Sequence, residues 1–544
     1  MLMDQAAQFQ PLRAPQADGQ TLVEPPWPSL PAVVEHNRRL LAEVRGDIQG
    51  RPLADLAASA RRSLVQQAIA YTRQYRDLPS DVIERGSSEA TPLVLSGHQP
   101  QLIHPGVWYK NFLLGQLAQR IGGLGIHLLI DSDLCRSASI RVPTGTPDEP
   151  RIESVPLDQP AAEVPYEERI VVDRATLASV ATRVTQLLSQ LVREPVVNQL
   201  WPHVLTRHGE QPNLGLCLAQ GRHMLEAEWG NVTLELPQSA VCQLPEFGWF
   251  AAHVLAHLPR FWTAHNEALA DYRAAHHLRN RAQPVPDLAE SDGWLEAPFW
   301  VWTEDDPQRR PLFARQEDDR LLVTDRQRRT IDLSLSAEGD AADAAEQLVG
   351  LAERGVKIRT RALATTLFAR LCLSDLFLHG IGGAKYDQVT DAIARRFFGF
   401  ELPELAAISA TLRLPIEHRH ADLAGQRALQ QQLRDLEFHP ERFALRDGTI
   451  PADEVSQVAE IAARKQRWID TPKTVQNARQ RHEGIAAANE AIYSHVAHLR
   501  TQIECQLDDI ERRTRASAIL ESREYAFCLF PREPLERLLL DALQ

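Results

Sequence analysis

The chain interleaves long stretches of helical periodicity with a few short, continuously apolar runs. Residues 30–44 (LPAVVEHNRRLLAEV) and 52–75 (PLADLAASARRSLVQQAIAYTRQY) space their apolar positions three and four apart, which predicts two helices. Leu93-Val94-Leu95-Ser96 is the kind of run a fully buried strand shows. In 106–123 (GVWYKNFLLGQLAQRIGG), Trp108, Phe112, Leu113, Gln116, Leu117 and Arg120 fall at helical offsets, and Gly122-Gly123 ends the helix. Residues 125–133 (GIHLLIDSD) then read as a second buried strand ending in two carboxylates. Strand, loop, helix and strand at this spacing predict a βαβ unit with parallel strands, and hence an α/β, Rossmann-like core.

Helical patterns dominate from 165 to 285, interrupted by a strand-like run at 231–242 (NVTLELPQSAVC). Residues 294–325 (WLEAPFWVWTEDDPQRRPLFARQEDDRLLVTD) alternate aromatic and polar positions around turn residues, which predicts a small hairpin subdomain. Residues 356–380 read as a return to helix, and 380–399 as a glycine turn feeding another helix. The next hundred residues are rich in Gln, Arg, Glu and Ala. There Val475, Ala478, His482, Ile485, Asn489, Ile492, Val496, Leu499 and Ile503 step alternately by three and four. That is a heptad seam, with a stutter before Leu507 and Ile510, in which His482 and Asn489 would set register at some loss of stability. The expected organisation is an extended segment and helices over 1–90, the first part of the core over 91–165 and a helical connecting region over 166–285. A β-rich subdomain over 286–345, the second part of the core over 346–415, a helical coiled-coil arm over 416–520 and a C-terminal tail over 521–544 complete it.

Composition narrows the partners. The 544 residues include 59 Lys and Arg against 72 Asp and Glu, a net charge of −13, which argues against nucleic acid as the main partner. Six scattered cysteines form no CxxC pair, so reduced thiols and a cytoplasmic setting are expected, with no metal site. The N-terminus lacks a signal-peptide pattern, and no apolar run approaches the roughly 20 residues of a membrane span.

Candidate chemistry follows the first strand. In a doubly wound sheet, ligands sit beyond the carboxyl ends of the strands, near helix N-termini whose free N–H groups attract anions. Gly97, His98, Gln99, His104, Gly106 and Lys110 occupy that position. Gly106 would let a ligand approach the backbone, Lys110 would add a point charge, and His98 and His104 would donate to an anion or move a proton near neutral pH. The bland reading makes His104 a helix cap and Lys110 a solvated side chain. Asp131 and Asp133, two apart, would face one way and reach a cation, an amine or a ribose. A second constellation comprises Arg359, Arg361, His379, Gly380, Gly382, Gly383, Lys385, Tyr386 and Asp387. Its three glycines would permit left-handed backbone and close ligand approach. It is neither a GxxxxGK[ST] loop nor a GxGxxG fingerprint.

These same stretches resemble the bacillithiol biosynthesis cysteine-adding enzymes. LVLSGHQPQLIHPGVWYKNFLLGQLA is similar to the family's Gly-Gln-Gln loop after the first strand and its Gly-Pro turn and lysine, with Gly97, Gln99 and Lys110 matching and His98 replacing a glutamine. IDSD keeps the acid of the family's strand end without its histidine. In FLHGIGGAKYDQVTDAIARRFFG, Gly380, Gly382 and Tyr386 match, while Lys385 stands where the family has glutamate. LFPREPLERL is similar to the family's ending at Pro531, Leu535, Glu536 and Arg537. The resemblance implies a Rossmann-like core related to class I aminoacyl-tRNA synthetases, connecting subdomains and a coiled-coil arm. It also implies a carbon–nitrogen ligase adding cysteine, a low-molecular-weight thiol, to the amine of glucosaminyl-malate. "HPGV" keeps the first His and the Gly of a HIGH-like phosphate motif, and no KMSKS-like loop is evident.

The expected function is therefore an amide-forming ligase with His98, His104, Asp131 and Asp133 in the catalytic roles and the remaining named residues binding substrate or nucleotide. ATP is the candidate cofactor, and an amino acid and an amino-sugar acceptor are the candidate substrates. A homodimer through the helical arm is the candidate assembly. The alternatives are a catalytically inactive binding or assembly protein and a nucleotidyltransferase-like enzyme.

Overall fold

A computed structural model describes residues 12–280, 282–317, 320–327, 329–336, 339–446 and 449–541. Part of the segment expected to be extended, residues 1–11, lies outside them. The chain divides into two units, one comprising residues up to Val142, Glu153–Pro415 and Arg523 onward, the other Pro143–Ile152 and Ile416–Ser522. No helix among the described residues is long and apolar enough to cross a membrane.

The first unit is mixed α/β. Its strands begin with β1 (Thr21–Glu24), β2 (Leu93–His98) and β3 (Leu124–Leu129); the ribbon of β4 (Ser139–Gly145) and β5 (Pro150–Pro156) is divided between the two units, and β6 (Leu234–Pro237) follows in the first. Then come β7 (Glu290–Ser291), β8 (Trp294–Thr303), β9 (Asp306–Glu317), β10 (Arg320–Thr324), β11 (Thr330–Ser334), β12 (Val356–Thr360), β13 (Leu376–Gly380) and β14 (Leu405–Ala410). One six-stranded sheet runs β1-β14-β13-β2-β3-β6. Its members β14, β13, β2, β3 and β6 are parallel, and β1 closes the edge antiparallel to β14. From β2 the chain moves outward through β3 to β6, then returns to lay β13 and β14 on the other side of β2. The direction reverses between β2 and β13.

Burial on both faces explains why these strands read as continuous apolar runs. Leu93, Val94 and Leu95 are at most 3% exposed, as are Ile126, Leu128 and Leu129. Between β2 and β3 runs the helix Pro105–Arg120, apolar on nearly all sides and correspondingly buried, with Trp108 stacked 4.0 Å from Phe527 of the C-terminal segment. Two differences from the sequence reading stand out. Leu376–Gly380, expected as helix, is β13, because its backbone pairs with β2 and β14 while Leu376, Phe377 and Leu378 are buried. And β12, expected in the core, joins the antiparallel sheet β11-β10-β9-β8-β12 by pairing with β8.

In the second unit, helices Leu423–Phe438 and Ala452–Asp470 both lie against the 43-residue helix Ala478–Leu520. Ile492 and Val496 are fully buried against Leu436, Phe443 and Val458. The heptad seam is narrower than its sequence pattern. Val475 precedes the helix and is 98% exposed, His482 is exposed, and Asn489 is half-buried with an Oδ1 that has no protein partner. Ala488 takes the inward position instead.

Candidate functional site

The strand order brings several singled-out residues to one edge. β2 pairs with β13 up to Leu378 and Ser96, and continuing that parallel register by one and two residues would set His379 beside Gly97 and Gly380 beside His98. β3 pairs His98 with Leu129, and the Ile130 N–H donates to the His98 carbonyl at 2.9 Å. Gly97, His98, His379, Gly380 and the start of the Asp131 segment thus share the carboxyl end of the sheet, flanking the reversal where open parallel sheets take ligands.

Lys110 sits behind this edge. It is only 2% exposed, and its Nζ donates to the Gly97 carbonyl at 2.7 Å. Burial, with Arg222 nearby, pushes its ammonium down to about 7. The His98 Nδ1 lies 3.1 Å from the Gln99 carbonyl, which can only accept, so Nδ1 carries the hydrogen and Nε2 presents a lone pair. Burial and then Lys110 push His98 down to about 3. His98 is therefore uncharged at neutral pH, contrary to the expectation that it moves protons there; Lys110 and Asp131 are buried groups near this edge that are shifted to about 7.

His379 faces Asp387 Oδ2 from Nε2 at 3.4 Å without hydrogen-bond alignment. Burial alone would raise the Asp387 carboxyl, but Arg370 at 2.7 Å and His379 hold it well below the usual carboxylate range. The glycines after His379 do not form a left-handed turn. Gly380 has φ −69° and caps the helix Ile381–Phe397, and Gly382 and Gly383 lie in its first turn. Their smallness serves space instead. A Cβ on Gly383 would meet the His379 Nδ1 at 2.4 Å, whereas Gly380 and Gly382 have nothing within 4 Å. The N-cap is a glycine with no side chain to accept from the first-turn N–H groups of this helix. Lys385 is half-buried on the same helix and Tyr386 is 41% exposed.

Other expected ligand contacts are taken up internally. His104 caps the Pro105 helix, its Nδ1 accepting from the Gly106 N–H at 3.1 Å, and burial lowers its pKa although Glu524, 4.0 Å away, opposes this. Gly106 admits not a ligand but the Ala410 carbonyl, which a Cβ would meet at 2.2 Å. Gly106→Ala is thus expected to push the helix off β14 and lower stability by about 2 kcal/mol or more in urea unfolding. Asp131 and Asp133 diverge rather than face one way. Asp131 is buried and accepts from the Ser239 N–H at 2.9 Å, and burial together with Glu167 raises its pKa above the carboxylate range. Asp133 accepts from Gln99 at 2.9 Å and pairs with Arg309 at 3.0 Å. Arg359 is bidentate to Glu167 at 2.9 and 3.1 Å, and Arg361 pairs with Glu296.

The sequence reading missed the charges that complete this edge. Arg222 bridges Glu226 and Glu235, with all three side chains at most 5% exposed, and Glu226 also accepts from Trp108 at 2.7 Å and Asn111 at 3.0 Å. Arg370, Arg309 and Glu167 were equally unmarked, since nothing in their local sequence distinguishes them from surface charges. A cavity of about 170 Å³ opens beside the β2 loop, lined in part by Gln101, Leu102, Cys135, Arg141, Tyr166 and Glu524. Burial raises the Cys135 thiol, which disfavours a thiolate there. A larger cavity of about 400 Å³ lies at the opposite, amino ends of β2 and β3, where Arg61 is paired with Asp375 and Arg62 with Glu89. No protein-family model matches the chain, and a search of curated proteins gives no match.

Proposed function

We propose that the first unit is a Rossmann-like core that binds an anionic small molecule at the β2–β13 reversal and joins it to an amine, an amide-forming ligase of the cysteine-adding type. The observation that carries this reading is the uncapped N-terminus of the Ile381 helix, open at Gly380 and Gly382, next to the strand end that holds Lys110. Helix N–H groups there suit a phosphate, or a carboxylate that ATP first converts to an acyl phosphate or acyl adenylate, and the oxyanion that develops as the amine attacks that acyl carbon and phosphate or AMP leaves. An amine must lose a proton as it forms the amide nitrogen, and Lys110, whose ammonium burial pushes down to about 7, can take it. ATP is the proposed cofactor, its phosphates suiting the same open turn, and cysteine and an amino-sugar amine are the proposed substrates. The long helices of the second unit are proposed as a coiled-coil arm that pairs two copies, and the six unpaired cysteines fit a cytoplasmic setting.

A second reading, a non-catalytic binding or assembly protein, is favoured by the internal pairing of Asp133, Arg359 and Arg361. Incubating the protein with ATP, cysteine and amino-sugar acceptors, and following melting temperature together with product mass, separates the two. The ligase reading expects a rise in melting temperature with an anionic ligand and a new amide mass. Ligand binding without product favours the second reading, and neither a shift nor a product overturns the first.

A further inference from the structure

The second unit contains a separate convergence of donors. His418 and His420 lie in the segment leading into the Leu423 helix, and Glu521 caps the carboxyl end of the Ala478 helix. The His418 Nε2 and the His420 Nδ1 each lie 3.0 Å from the same oxygen, Glu521 Oε1. The two rings are 4.7 Å apart. The His418 side chain is 7% exposed and that of His420 is 77% exposed, so one ring is fixed and the other open to solvent.

The protonation pattern makes the cluster informative. The His418 Nδ1 lies 3.0 Å from the Ile416 carbonyl, which can only accept, so Nδ1 carries the hydrogen. In a neutral ring Nε2 is then a bare lone pair aimed at a carboxylate oxygen that also has only lone pairs. Such a contact is repulsive unless a proton or a cation lies between them. A proton makes an imidazolium of His418, with the second lone pair of the same oxygen accepting from a His420 Nδ1–H. One dication held by all three groups satisfies the same contacts with both rings neutral.

We propose that His418, His420 and Glu521 bind a single divalent transition-metal ion of the zinc class. Two imidazole nitrogens and one carboxylate oxygen, all within 4.8 Å of one another, form a donor set suited to Zn²⁺, Co²⁺ or Ni²⁺ rather than Mg²⁺ or Ca²⁺. Each His–Glu521 pair, 3.0 Å apart, would subtend roughly 95° at an ion bound about 2.05 Å from both atoms. The Ile416 carbonyl plays the outer role of fixing the His418 tautomer. With three protein ligands, a fourth position is left for water. The ion would tie the first residues of the unit to the end of its longest helix.

The test uses the full chain, stripped with a chelator and titrated with Zn²⁺, with Co²⁺ as the spectroscopic probe and Mg²⁺ as the control. The expected result is one equivalent of Zn²⁺ per chain, visible Co²⁺ absorption of a four-coordinate site and no Mg²⁺ uptake. Glu521→Gln and His420→Ala, the latter at an exposed position, are expected to lose that equivalent while keeping the metal-free melting curve. The proposal is overturned if the wild-type chain takes up no equivalent at micromolar Zn²⁺, or if both variants bind as the wild type does.

Discussion

Lys110→Met is expected to flatten the dependence of stability on pH between about 7 and 10.5 and, under the proposed ligase function, to abolish amide formation. The physical basis is the burial that pushes the Lys110 ammonium from 10.5 down to about 7 in the folded chain. Between those values the unfolded chain holds a proton that the folded chain has released, so stability rises with pH across the window. Below pH 7 the folded chain must carry the charge in a desolvated site, and the full penalty, roughly 5 kcal/mol, applies. Methionine fills a similar volume without a charge. Urea unfolding at pH 6, 8 and 10 should therefore show the variant gaining on the wild type at pH 6 and losing that advantage by pH 10. The difference between the two chains isolates Lys110 from the buried tyrosines and cysteines that also titrate at high pH. A variant that tracks the wild type at every pH would show that the amine is solvated, and the proton-accepting role would fall with it. Retention of full amide-forming turnover in Lys110→Met would reject that role independently.

Arg222→Met should have the largest effect on the fold. Glu226 and Glu235 are 1% and 0% exposed, and the guanidinium lies between them. Removing one partner of a buried ion network leaves uncompensated charge and typically loses about 3–5 kcal/mol. Burial already pushes the Glu235 carboxyl up to about 7, with Arg222 opposing the rise. Without Arg222 the Glu235 carboxyl will hold its proton more tightly in the folded state. A carboxyl raised above its unfolded 4.5 contributes stability below that value and loses it as pH climbs through the folded value. The variant should consequently be much weaker than the wild type at pH 8 and closer to it at pH 5. Equal deficits at both pH values would mean that lost packing, not unpaired charge, is responsible. Because Trp108 and Asn111 of the Pro105 helix donate to Glu226, the damage should reach Lys110 as well.

The two predictions concern residues of different legibility. Lys110 was marked by its place after a buried strand, and the parallel pairing of β2 with β3 follows from the same short apolar runs. Arg222 was invisible, because GRHMLEAEWG reads as any amphipathic helix and Glu235 is distant in the chain from the Pro105 helix. Period-based reading also erred where two structures share a pattern. Leu376–Gly380 continues an apolar helical stretch, and only the two neighbouring strands made it β13. The heptad count overran its helix at Val475 and placed His482 inward, since a seam is set by what packs on it.

What the sequence determined by itself is local: buried strand runs, the helix that follows β2, polar residues grouped after that strand, and a long helix in 478–520. These depend on periodicity and backbone preference, which neighbouring residues set. The tertiary structure decided the rest: that β13 lies next to β2, that His104 and Gly106 serve packing, that Asp131 and Asp133 turn to different partners, and that Lys110 is buried. Burial and pairing across hundreds of residues fix a side chain's charge and its free donors, and no local pattern carries that information.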